Sequence, residues 1–206
     1  MKLEGEFIFN GSRQVVWDLL QDPDVLANCI PGTKKLEKKG EDEFESTTEI
    51  RIGPLNGIFT NRMTLKDKSP PQSYTILVDS NSSQGFAKGS ANVELVEQDA
   101  NSTLLKYDAE LQVGGRLAGV GQRMLDTVGK SLTRQGLEAM NKALQSRIRT
   151  SSDSGNKYTP PTQAEFASGV FKDVVRDSFL SRRGLWIAAA MVLIVIIVLV
   201  LISIGR

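Results

Sequence analysis

The chain has 206 residues, 40% of them apolar, which allows roughly one domain with a real core plus some additional segments. Its 25 Lys and Arg against 24 Asp and Glu leave a formal net charge of +1, so no concentrated basic surface speaks for nucleic acid as a partner. With no histidine and a single cysteine, Cys29, it lacks the commonest general base and metal ligand and cannot form an internal disulfide or a thiolate cluster.

The N-terminal stretch MKLEGEFIFN has no basic region followed by a long apolar run, so no signal peptide is expected. Leu3, Phe7 and Phe9 predict an opening strand. A short helix follows, with Ser12 as its N-cap and Val15, Val16, Leu19 and Leu20 as its apolar stripe. Asp22-Pro23 starts a second short helix, and Pro31-Gly32 closes it with a turn. Six strands are then predicted at about 33–39, 42–52, 55–67, 73–80, 86–97 and 101–113, separated by Gly, Pro, Asn and Ser turn signals. The basic cluster Lys34, Lys35, Lys38 and Lys39 is interleaved with Glu37, Glu41 and Glu43 and reads as a solvated hairpin. In the last strand Thr103, Leu105, Tyr107, Ala109, Leu111 and Val113 alternate with Lys106, Asp108, Glu110 and Gln112, the pattern of an antiparallel sheet with one wet face.

After Gly114-Gly115 the period turns helical as far as about Ile148, with Leu117, Val120, Met124, Val128, Leu132, Met140 and Leu144 as the buried stripe. Such a helix is about 50 Å long and can cross the whole concave face of a curved sheet. The fold class is therefore α+β, a helix-grip domain over residues 1–149. Small or polar residues recur on the expected core face: Ser46 and Thr48, Gly57 and Asn61, Ala87, Gly89 and Ala91. They leave room for an apolar ligand with a carbonyl or hydroxyl group, or else let the helix pack closely over a solid core. The candidate cavity residues are Phe44, Phe59, Asn61, Met63, Tyr107 and Leu111 from the sheet, with Val120, Met124 and Val128 from the helix. Asn61 and Tyr107 are the polar handles.

Residues 150–163, TSSDSGNKYTPPTQ, have linker composition and would spread over roughly 20 Å on average. Residues 164–184 place Phe166, Val170, Phe171, Val174, Val175 and Leu180 at helical spacing, as an amphipathic juxtamembrane segment or simply the near end of an anchor. Leu185 to Ile204 carry no charge, and twenty residues make about 30 Å of helix, the thickness of a bilayer core. Arg182 and Arg183 precede this span, with Trp186 at its entry, against Arg206 after it. A single-pass tail anchor is expected, with the domain and N-terminus on the cytoplasmic face and Arg182, Arg183 and Trp186 at the membrane interface.

A series of short pieces is similar to the CoxG family of carbon monoxide dehydrogenase subunits, within the larger START/Bet v 1-like (SRPBCC) superfamily. They are Val16-Trp17, Asp22-Pro23, Leu26, Ile30-Pro31-Gly32, Gly53-Pro54, Phe59, Pro70-Pro71 and Tyr74. Further on come Gly85-Phe86-Ala87-Lys88-Gly89, Thr103, Tyr107, Val113-Gly114-Gly115, Leu117-Ala118 and Gly121-Gln122-Arg123. They occur in order over residues 1–125. The resemblance implies a helix-grip fold around a hydrophobic cavity. It also implies a molybdenum-containing CO dehydrogenase-like hydroxylase as partner, brought to the membrane, with a quinone (menaquinone or ubiquinone) or a lipid linking its electrons to the respiratory chain. Asn61, and Gln135-Gly136-Leu137 in place of an aromatic pair, depart from the family pattern, and both touch the expected cavity.

Three functions follow from these features. The leading one is a membrane-anchored carrier of quinone or lipid that recruits such an oxidoreductase, itself non-catalytic and without a metal or covalent cofactor. The second is a ligand-free membrane adaptor or assembly factor. The third, a START-like hydrolase or cyclase, lacks a nucleophile paired with a base, and Cys29 beside a proline turn reads as a half-buried residue.

Overall fold

The computed structural model describes residues 1–150 together with Ser168, Gly169 and Lys172. Nearly all of the expected linker, the juxtamembrane segment and the 185–204 span lie outside them. Among the described residues no helix is long and apolar enough to cross a membrane.

The chain runs β1 (Lys2–Phe9), α1 (Arg13–Leu20), α2 (Pro23–Cys29), β2 (Thr33–Lys38), β3 (Glu43–Ile52), β4 (Leu55–Ser69), β5 (Ser73–Ser82), β6 (Gly85–Asp99) and β7 (Ser102–Gly115). A 3-10 segment (Arg116–Val120) and the long helix α3 (Gln122–Thr150) follow. The seven strands form one antiparallel sheet in the order β1-β7-β6-β5-β4-β3-β2. Its concave face holds α3, the helix-grip arrangement that the strand and helix periods imply. The six predicted strands match β2 to β7 to within two residues at each end.

Local chemistry explains the punctuation. Asp22 caps α2 by accepting from the backbone amides of Asp24 (2.9 Å) and Val25 (3.3 Å), with Pro23 pre-set for the first helical position. The same carboxylate takes Arg147 of α3 at 2.8 Å, so one residue ends a loop and ties α2 to the long helix. Ser12 does occupy the N-cap of α1 in extended conformation, but its side chain makes no capping bond.

Two expectations are corrected. The apolar stripe of α1 is Val16, Trp17, Leu19 and Leu20, and Val15 is 43% exposed. Trp17 takes the inward position and meets Tyr74 of β5 edge-on at 5.4 Å, which turns Val15 outward. Nor is the helix after Gly115 continuous. Gly121 at φ +96° breaks it, leaving Leu117 and Val120 in the 3-10 segment and an α3 of 29 residues, about 44 Å rather than about 50 Å.

The core is divided. One cluster, beneath α1, α2 and the last turns of α3, contains Phe9, Val16, Trp17, Phe44, Leu95, Leu105 and Leu144. A second, at the other end of the sheet, contains Ile52, Leu55, Phe59, Leu117 and Val128.

Candidate functional site

Between the two clusters, α3 stands off the middle of β3, β4 and β5 and leaves an open cavity of about 360 Å³. The sheet side is Ser46, Thr48 and Ile50 of β3, Asn61 and Met63 of β4 and Val78 of β5. Leu132, Thr133, Gly136, Leu137 and Met140 of α3 form the opposite wall, and Ile30 and Pro31 after α2 close one side. None of these described lining residues carries a charge. Gly136 matters to this wall. A side chain there would meet nothing closer than the Cys29 carbonyl at 3.8 Å, so its absence directly adds to the space.

The register explains the polar strip across the sheet wall. Ser46 pairs with Asn61, and Asn61 with Ser80, so three short polar residues form one row across β3, β4 and β5, with Thr48 beside it. The Asn61 amide donates to Ser46 Oγ (3.1 Å), Thr48 Oγ1 (3.2 Å) and more weakly to the Ser46 carbonyl (3.4 Å). Ser80 Oγ donates to Asn61 Oδ1 at 2.6 Å. The Ser46 carbonyl can only accept, which sets the amide nitrogen toward β3 and the amide oxygen toward β5.

The consequence is chemical. Asn61 has both amide protons and its oxygen engaged within the sheet. Ser46 and Thr48 each accept from it, so their own hydroxyl protons turn elsewhere, and neither donates to an acceptor among the described residues. Both hydroxyls lie in buried residues that line the cavity. The wall thus offers two O–H donors at one point of an otherwise apolar space. A carbonyl oxygen is the complementary group.

Of the residues the sequence nominates, the cavity gathers Asn61 and Met63. Phe44 is buried in the first core cluster, under the ammonium of Lys38 at 5.9 Å. Phe59 and Val128 are buried in the second, with Val120 and Met124 packed on them and the Met124 methyl reaching toward Gly53. Tyr107 packs on the first cluster with its hydroxyl over Gly5 of β1, where a side chain would come within 2.5 Å of it, and burial pushes its phenol pKa up. Leu111 lines a different groove, with Met1 and Lys88. Arg182, Arg183 and Trp186 lie outside the described residues. Ser46, Thr48 and Gly136 stood on the expected faces but were not nominated. Their signal was polar and small residues at core positions of adjacent elements. Ser80, at the end of a predicted strand, gave none.

Residues 5–145 match the family model for CoxG, a subunit of carbon monoxide dehydrogenase. No curated protein matches the sequence. Among solved structures, a conserved protein from Geobacillus kaustophilus is 31% identical with a TM-score of 0.69, over 71% of this chain and 96% of that one. The Zhui aromatase/cyclase of a Streptomyces species is 17% identical (TM-score 0.56; 75% and 99% covered). A START superfamily protein of Mycobacterium smegmatis is also 17% identical (TM-score 0.51; 72% and 97% covered). The last two show a shared START-like fold and nothing more specific. The family match covers most of the chain, and the chain belongs to the CoxG family of carbon monoxide dehydrogenase subunits.

Proposed function

We propose that this member of the CoxG family is a non-catalytic accessory protein that binds an apolar, carbonyl-bearing ligand between its sheet and α3. The observation that carries this reading is the pair of free hydroxyl donors, Ser46 and Thr48, in a cavity whose described lining is uncharged. Its size suits a ring-sized headgroup, at the small end of ligand pockets in general. A quinone, with its carbonyl oxygens and apolar body, is the ligand class that fits best, ahead of an ordinary lipid.

In this account the uncharged Leu185–Ile204 segment anchors the chain in the membrane and leaves the domain on the cytoplasmic side. There it brings a molybdenum CO dehydrogenase-like enzyme to the bilayer and exchanges reducing equivalents with the quinone pool. The family name supports the partner, and the hydroxyl pair supports the quinone. A cyclase reading, by analogy with the Zhui fold, would need an acid or base at the ligand, and the described lining offers none.

The test is organic extraction of full-length protein purified from a quinone-containing membrane, followed by re-addition of quinone to stripped protein. Stoichiometric quinone, and recovery of it on re-addition, is the expected result. Protein that comes empty and takes up nothing would leave a ligand-free adaptor.

A further inference from the structure

Antiparallel connections bring the turns at 52–55 and 82–85 and the 115–121 stretch to one end of the sheet, beside the first turn of α3. The segments that build this end, 49–58, 79–88 and 113–126, carry four basic residues, Arg51, Lys88, Arg116 and Arg123, against Glu49, Asp79 and Asp126. Glu49 pairs with Arg51, and Asp79 with Lys88. Arg116 and Arg123 are exposed and have no ion-pair partner among the described residues. At the same end of the sheet Ile58 of β4, opposite Glu49 of β3, is 62% exposed, and Gly53, Pro54, Ala118 and Gly119 are exposed as well. The opposite end carries Glu41, Asp42, Glu43, Asp67, Glu97 and Asp99 around its turns, against Lys38, Lys39, Lys66 and Lys68. A chain of net charge +1 is therefore polarised along its strands.

We propose that this end docks on a bilayer of anionic lipid, with Ile58 entering the headgroup region and Arg116 and Arg123 on the lipid phosphates. Unpaired arginines at the same end of a sheet as an exposed branched apolar side chain, with the nearby acids already paired to Arg51 and Lys88, are the chemistry of an anionic membrane surface. The course of the chain favours the same occupant. α3 leaves this end and runs to the other, but Gly169 lies back against the side chain of Gln135 at mid-helix. Leu185, the start of the uncharged span, follows Lys172 by thirteen residues. Even at the compact rise of a helix these cover about 20 Å, the same distance as Gln135 to the start of α3. The span can enter the bilayer beside this end. The second core cluster, which includes Leu117 of the 3-10 segment, then lies on the bilayer side of the cavity. The proposal uses the anchor proposed above but not the contents of the cavity.

The test is site-directed spin labelling of the full chain in vesicles of phosphatidylcholine with or without phosphatidylglycerol. Ile58→Cys reports the docking end and Gln98→Cys the opposite one, while buried Cys29 stays unlabelled. Vesicle flotation checks the anchor separately. In anionic vesicles the Ile58 label should be shielded from a water-soluble relaxant and the Gln98 label exposed. In neutral vesicles both should be exposed. Arg116→Glu with Arg123→Glu should lower the docked-to-undocked ratio at least about twenty-five-fold, at about fivefold per arginine lost. A chain that floats on anionic vesicles with its Ile58 label exposed would overturn the proposal without touching the anchor. So would shielding that persists in neutral vesicles or survives the double charge reversal, which would point to a second copy or another protein as the occupant.

Discussion

The two stretches of the concave face hold the same helix in different ways. Under α1 and α2, Phe9, Trp17, Leu95 and Leu144 are buried in one cluster, and Leu144 reaches within van der Waals range of Gly11. At mid-sheet the facing residues are Ser46, Thr48, Asn61, Ser80 and Gly136, and a cavity opens. The difference follows from side-chain chemistry. Branched and aromatic groups fill volume by contact, whereas buried hydroxyls and amides must find partners and are too short to reach across to a helix. Asn61 ties Ser46, Thr48 and Ser80 together within the sheet, the Ser46 and Thr48 hydroxyls only as acceptors, and the space above them stays open.

The largest expected effect tests the packed stretch. Leu144→Ala should cost about 3–5 kcal/mol in urea unfolding, while Leu137→Ala, on the wall of an existing cavity, should cost well under half of that. Equal losses would erase the distinction. Next is Asn61→Leu, which strands the hydroxyls of Ser46, Thr48 and Ser80 and should destabilise by about 1–3 kcal/mol. A neutral result would mean that water or a ligand already satisfies them.

Asp22 sharpens the packed side further. Burial raises its carboxyl pKa, but Arg147 and the amides of Val25 and Asp24 outweigh burial and hold it below the ordinary value. A folded-state pKa below the unfolded one gives stability that is complete above the ordinary carboxylate range and is lost as pH falls through the folded value. Asp22→Ala should thus cost about 1 kcal/mol near neutrality through the lost cap, and less in acid, as read from unfolding at two pH values. An undiminished cost in acid would show that the charge contributes nothing. The smallest effect belongs to the cavity. Gly136→Ala should stabilise α3 by up to about 1 kcal/mol, because the new methyl meets only ordinary contacts, and should lower ligand occupancy.

Much of this contrast was legible in the residues. Period-two alternation put Ser46, Thr48, Asn61 and Met63 on the inner face, and the Gly53-Pro54 turn implied their pairing across β3 and β4. Period alone does not locate a residue along the length of α3, however. Phe44, Phe59, Met124 and Val128 share the inner face with Asn61 but belong to the clusters on either side of the cavity. Tyr107 shares that face too, yet Gly5 lets it lean over β1 instead. The break at Gly121 was hidden because apolar spacing continues through it, and only a positive φ reveals the stop.

The central claim is that Ser46 and Thr48 present two hydroxyl protons to a carbonyl. The direct measurement is binding of a quinone, and of a hydrocarbon with the same side chain but no carbonyl, to stripped wild-type protein and to Ser46→Ala with Thr48→Val. Wild type should prefer the quinone by roughly ten-fold or more, at about 1 kcal/mol for each hydrogen bond, and the double variant should bind the two alike. A wild type that does not distinguish them, or a double variant that keeps the preference, would contradict it.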